Sequence, residues 1–185
     1  YNPIFYDANI FNVVESGTFW LSETPDTVSK GWDAELNRIC TYARLHHRSQ
    51  DIDFWVFNTH LDHMGEQARF MSVELITSKI DSLNKVLYLP VIVMGDFNTS
   101  FEPNSPPFIL AQLSDSRQLS RQAPFGPVGT LNGFNFEQPI TQRIDYIFVS
   151  QQINVLKYGV LSDSQAGKFP SDHFPVFIEF ELPGF

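Results

Sequence analysis

Val91-Ile92-Val93-Met94-Gly95-Asp96-Phe97-Asn98 is the stretch on which the reading of the fold turns. A short run of apolar residues closed by a glycine predicts a strand covered on both faces, at the centre of a sheet. Residues 65–85 lie just upstream, with Ala68, Met71, Leu75, Ile76, Ile80 and Leu83 as an apolar stripe at helical spacing. Pro90 closes the connection, and Phe54-Trp55-Val56-Phe57-Asn58-Thr59-His60-Leu61 before the helix predicts another strand. Strand, helix, strand at this spacing is a crossover unit, which places the chain in the α/β class.

Further upstream, Ile39, Thr41, Ala43 and Leu45 alternate with Cys40, Tyr42 and Arg44, a period of two that predicts a two-faced strand. A turn at Ser49-Gln50-Asp51 joins it to the next strand as a hairpin. Thr18-Phe19-Trp20-Leu21-Ser22, between Gly17 and Pro25, predicts one more strand. Residues 1–16 show no clear period, and 24–32 read as a loop. Downstream, Pro106-Pro107 open a short helix expected over 104–113. Residues 114–142, rich in Gly, Pro, Asn and Gln and carrying Phe125, Phe134 and Phe136, read as a long functional loop that shapes substrate choice. Strands are expected at 144–149, 153–161 and 174–182. With neither a repeat nor a linker, residues 1–185 are expected to form a single domain.

Composition narrows the function. Hydrophobic residues make up 43% and charged residues 18%, which excludes a disordered chain, and 18 Phe, 6 Tyr and 3 Trp require a packed interior. No stretch approaches the roughly 20 apolar residues of a membrane span. The lone Cys40 excludes an internal disulfide framework and a cysteine-rich zinc site. The net charge is −9, against the basic face that phosphate-neutralising nucleic-acid binders carry. A small anionic substrate bridged by a metal ion escapes that objection, because the metal supplies the positive charge. The chain opens on Tyr1 rather than Met, so it is expected to be a processed or shortened product, and a leader for secretion or the periplasm would lie upstream.

Polar residues interrupt the apolar strands at four places. His60 and the lower-ranked His63 sit at a strand end, where the following loops of an α/β fold form the crevice. Asp96 and Asn98 follow the central strand; held extended they would share one side and hold a water or a phosphate oxygen. The plainer reading is a turn in which both bond local backbone. Asp145 interrupts an apolar run and needs a partner: a histidine whose tautomer it would fix, or Arg143. Asp172 and His173 stand together between Pro170 and Pro175. A structural account needs four coincidences, whereas a site needs one cleft.

Asn58-Thr59-His60-Leu61, Gly95-Asp96-Phe97-Asn98, Ile144-Asp145-Tyr146-Ile147 and Ser171-Asp172-His173-Phe174-Pro175-Val176, in this order, resemble the endonuclease/exonuclease/phosphatase superfamily, from about Ser16 to the end. Thr18-Phe19-Trp20-Leu21-Ser22 and Lys30-Gly31-Trp32-Asp33 are similar to uncharacterised bacterial members. The resemblance implies a DNase I-like fold, a four-layer α/β/β/α sandwich of two mixed sheets, and hydrolysis of a phosphoester with Mg²⁺ or Mn²⁺. It implies His173 as base or phosphate-polarising imidazole, with Asp145 orienting it. It further implies Asp96 aligning or deprotonating water, Asn98 holding Asp96 and a phosphate oxygen, His60 on the phosphate, Asp172 near the metal, and Arg38 as a weaker phosphate contact.

One departure stands out. The family's opening strand, helix and strand, the last ending in a metal-binding Glu, are not recognisable, and Glu15 lacks that setting. The chain is therefore expected to lack the N-terminal portion of the domain. The expected function is a divalent-metal-dependent phosphodiesterase or phosphatase acting on a phosphorylated small molecule or lipid headgroup. A nuclease acting on DNA or RNA is the rival enzyme, and a catalytically dead binding module lacking the metal Glu is the rival from another class.

Overall fold

The computed structural model describes residues 1–100 and 112–182. Its elements are β1 (Phe11–Trp20), β2 (Ile39–His47), β3 (Ile52–His60), α1 (Glu66–Asn84), β4 (Val91–Asp96), β5 (Leu113–Asp115), α2 (Ser116–Leu119), β6 (Asp145–Ser150), β7 (Asn154–Val160) and β8 (Val176–Glu181). Six strands form one sheet in the order β1-β2-β3-β4-β6-β5, and β7 pairs with β8 in a second. Within the first sheet β3 and β4 run parallel, joined through α1 as the strand-helix-strand spacing requires, and the other pairs are antiparallel. The pair β7–β8 is antiparallel.

Alternation along the central strands sends side chains to two separate cores. On one face, Trp55, Phe57, Val91, Val93, Tyr146 and Phe148 pack with Val73 and Ile76 of α1. On the other, Val56, Ile92, Ile147 and Val149 pack with Val155 of β7 and with Ile178 and Phe180 of β8. The central strands are thus covered twice, by a helix and by the second sheet. This is the two-sheet α/β architecture expected from the motifs.

α1 begins at Gly65, which has no side chain with which to cap it. The carboxylate of Asp33 does so from a distant loop, accepting from the backbone N–H groups of Gln67 (3.2 Å) and Ala68 (2.7 Å). At the other end Asn84 bonds the N–H and the carbonyl of Leu89, turning the chain towards β4.

Three stretches differ from expectation. β1 starts at Phe11 rather than Thr18: residues 13–16 are exposed, and the pairing register shifts between Val13 and Glu15. An exposed edge strand with a bulge has no buried face to impose a period of two. β5 and α2 fall in the segment expected to be loop, and with three and four residues they are too short to show any period. The helix expected over 104–113 lies outside the described residues apart from its last two positions, where Leu113 opens β5.

Ile76 is fully buried between α1 and the sheet. Truncation to Ala leaves a cavity, so Ile76→Ala should lower unfolding free energy by about 2–5 kcal/mol. Urea titration followed by circular dichroism should show an earlier midpoint at unchanged slope.

Candidate active site

Strand register brings the candidate residues together. His60 of β3 lies opposite Asp96 of β4, and Asp96 lies opposite Asp145 of β6. Each extends the set that carries Val56, Ile92 or Ile147 further in, so all three lie on the face turned to the second sheet. Gly95 permits this spacing: its φ is 142°, and a Cβ there would lie 1.9 Å from the Thr59 carbonyl oxygen. No other residue lets β4 reach its last position so close to β3.

His173 arrives from the loop before β8. Its Nδ1 lies 2.8 Å from Oδ2 of Asp145. That carboxylate selects the Nδ1–H tautomer and leaves Nε2 as the second working nitrogen. Histidine, and not Arg143, is therefore the partner of Asp145; Arg143 pairs with Asp115 at 2.6 Å and lies over the Tyr146 ring. Burial raises the pKa of Asp145, while the Thr130 hydroxyl and His173 pull the other way. Nε2 of His60 lies 3.2 Å from Oδ2 of Asp96. Burial lowers the pKa of His60, the charge of Asp96 opposes that, and the positive charges of Arg38 and His173 add to it. Asp96, Asp145 and His173 each offer a ligand atom, all within 4.8 Å of one another. Two carboxylates among these donors suit Mg²⁺ or Mn²⁺.

The remaining sequence candidates differ in placement. The backbone after Asp96 does not stay extended, since Asn98 has a φ of 49°. Its N–H donates to Oδ1 of Asp96 (2.8 Å), the local turn of the plainer reading, but its side chain donates to the Leu61 carbonyl (2.9 Å), 37 residues away. Asn98 thus holds Asp96 through its main chain. Asp172 lies outside the Asp96–Asp145–His173 cluster; it is exposed, with its carboxylate near the Ser171 hydroxyl. Arg38 is 12% exposed, 3.3 Å from Asp62 and 3.1 Å from Nδ1 of His63. His63 serves as its prop.

Two supporting residues escaped the sequence reading. Asp62, 1% exposed, accepts from the N–H groups of Glu35, Leu36, Met64 and Gly65 and from Arg38. These backbone bonds hold its carboxyl well below the usual range, outweighing burial, which acts in the opposite sense. All its partners but Arg38 are main-chain groups, two of them 26 and 27 residues away, so no motif marks them. Thr130, fully buried, accepts from the N–H groups of Ile144 and Asp145 and so ties the long loop to β6.

The sheet end thus gathers a row of carboxylates and imidazoles on the face turned to the second sheet. Residues 11–173 match the Endonuclease/Exonuclease/phosphatase family, and the chain belongs to it. Family members are phosphoester hydrolases. Among solved structures, the mannosyl-6-phosphatase Bt3783 of Bacteroides thetaiotaomicron superposes with a TM-score of 0.88 at 39% identity, over 96% of this chain and 69% of that one. A functionally unknown conserved protein of Enterococcus faecalis does so at 0.87 and 32%, again over 96% and 69%. The Kluyveromyces lactis CCR4-Not complex 3'-5'-exoribonuclease subunit Ccr4 is 24% identical over 97% of this chain and 29% of its own length. The chain spans less than a third of the curated relatives it matches.

Asp62 yields a prediction whose sign follows from its depressed folded pKa. Its stabilisation is present above the unfolded value of about 3.9 and is lost as pH falls below that. Asp62→Asn should cost about 2–3 kcal/mol at pH 7. The gap between variant and wild type should begin to narrow below about pH 4 and keep narrowing as pH falls towards the strongly depressed folded value, read by urea unfolding at each pH.

Proposed function

We propose that this chain carries the hydrolytic site of a divalent-metal-dependent phosphoester hydrolase, and that its substrate is a phosphorylated sugar hydrolysed as a phosphomonoester. The observation that carries the reading is the convergence of Asp96, Asp145 and His173 within one small volume at the strand ends. The family supplies the reaction class. The sugar is supported by the 39% identity to a protein named a mannosyl-6-phosphatase, and by a net charge of −9 that disfavours a polyanion.

Each residue then has a task. Asp145 holds His173 at Nδ1, so that Nε2 faces the phosphoryl oxygen and stabilises charge there or moves a proton. Asp96, pinned by the Asn98 N–H, orients the attacking water and takes its proton. His60 braces the second oxygen of Asp96 and contacts the phosphate from the β3 side. Arg38, fixed by Asp62, adds positive charge nearby. A divalent cation held by the carboxylates of Asp96 and Asp145 would offset the negative charge of the phosphate.

A second reading, nuclease action, is favoured by the match to exoribonuclease subunits along nearly the whole chain. Salt separates the two. Activity on one phosphate should fall less than about tenfold between 50 and 200 mM salt, against roughly 10³ or more for a protein tracking many phosphates. With the full-length protein, Mg²⁺ and mannose 6-phosphate, phosphate release should drop about 10²–10⁴-fold in Asp96→Asn. Shortening of an RNA oligomer with no phosphate release from any sugar phosphate would replace this reading with the nuclease. Absence of Mg²⁺ binding by calorimetry would leave the binding module.

A further inference from the structure

The residues that bind phosphate do not explain what surrounds them. Phe136 and Phe169 lie face to face, ring centroids 3.7 Å apart and planes 7° apart. Phe169 meets Phe174 edge-on at 4.8 Å. Phe174 is 4% exposed, belongs to the core and directly follows His173. A chain of rings therefore runs from the residue beside the working imidazole out to the surface, where Phe136 is 46% and Phe134 is 59% exposed. Solvent-facing aromatics fastened to the loop of His173 offer an apolar contact surface beside the polar row.

The loop that carries Phe134 and Phe136 is fastened to the catalytic loop by a buried amide. Asn132, 3% exposed, donates from its side chain to the Ser171 carbonyl (3.1 Å) and from its N–H to the Asp172 carbonyl (2.8 Å). Gly133 donates to that same Asp172 carbonyl, and Oδ1 of Asn132 accepts from the N–H of Phe134 at 2.7 Å. Phe134 is held at a φ of 60°, a conformation unfavourable for a bulky side chain and one that persists only where the surroundings impose it. The rings keep a set position relative to His173.

We propose that Phe134 and Phe136 form a specificity-determining platform on which the pyranose ring of the sugar phosphate stacks while its phosphate lies at His173. The inference rests on the function proposed above and names how its substrate is chosen. The electron-rich face of a phenyl ring attracts the C–H-bearing face of a sugar, and the ring brings no competing polar group. A nucleobase also stacks on such a ring, but a polynucleotide would bring flanking phosphates past the carboxylates of Glu137 and Asp172 on these two tied loops. A sugar carrying one phosphate brings none.

The test is binding, which needs no turnover. Full-length protein with Mg²⁺ is titrated calorimetrically with mannose 6-phosphate in the form of its non-hydrolysable phosphonate, with inorganic phosphate and with an adenylate oligomer. Wild type should bind the sugar phosphate more tightly than phosphate. Phe134→Ala should raise the dissociation constant for mannose 6-phosphate about tenfold and shift that for inorganic phosphate less than twofold, a ring-contact loss of about 1.4 kcal/mol. Phe136→Ala should act in the same direction; if it fails to fold, the exposed Phe134 still decides. Unchanged mannose 6-phosphate affinity in Phe134→Ala overturns the platform alone. So does a selective loss of oligomer binding, which would assign the rings to bases. A wild type that binds neither phosphate nor sugar phosphate overturns the proposed function, and the platform with it.

Discussion

Two carboxylates that face each other across adjacent strands repel, yet Asp96 and Asp145 are placed in register with one another. The arrangement is tolerable because each has an imidazole on its far side. Read across the sheet end, the row is His60, Asp96, Asp145, His173, with contacts of 3.2 Å and 2.8 Å at its two ends. Burial of Val56, Ile92 and Ile147 against the second sheet fixes the register that produces this row. A slip of one residue in any of these strands would turn its apolar set away from the second sheet and carry its His or Asp to the helix side with it. Stability of the sheet and geometry of the site are therefore enforced by the same packing.

Much of this was legible beforehand, and the reasons are specific. α1 announced itself by an apolar stripe at helical spacing, and β4 by a continuous apolar run buried on both faces. The motif residues His60, Asp96, Asp145 and His173 stood out because polar groups interrupt apolar runs, and the structure brings them to one place. What stayed hidden has no periodic signature. The first half of β1 is exposed and bulged, and β5 and α2 are too short. Asp62, Thr130 and Asn132 act by accepting from or donating to main-chain groups far off in sequence, which leaves no trace in residue type or spacing.

The same contrast explains why the site needs so much chain. Asp62 gathers residues 35–38 and 64–65 about one carboxylate, which sets Arg38 near His60. Asp33 supplies the cap that Gly65 lacks. Thr130 and Asn132 clamp the long loop to β6 and to the loop of His173. These irregular loops are thus held by side chains bonded to backbone, with Asp62, Thr130 and Asn132 buried and Asp33 exposed. Such bonds order a segment without requiring a particular residue at the other end.

The Asn132 clamp therefore has a consequence for how such a protein diversifies. Among the described residues, the hydrogen bonds that position the tip of the 132–137 loop use main-chain atoms or the amides of Asn132 and Asn135, while the Phe136 ring adds its stack on Phe169. Replacing the Phe134 ring changes what the tip can touch while the reacting groups keep their alignment. Variation at Phe134 can therefore alter the surface of the tip without loosening its fastening to the loop of His173, so the two are free to drift separately.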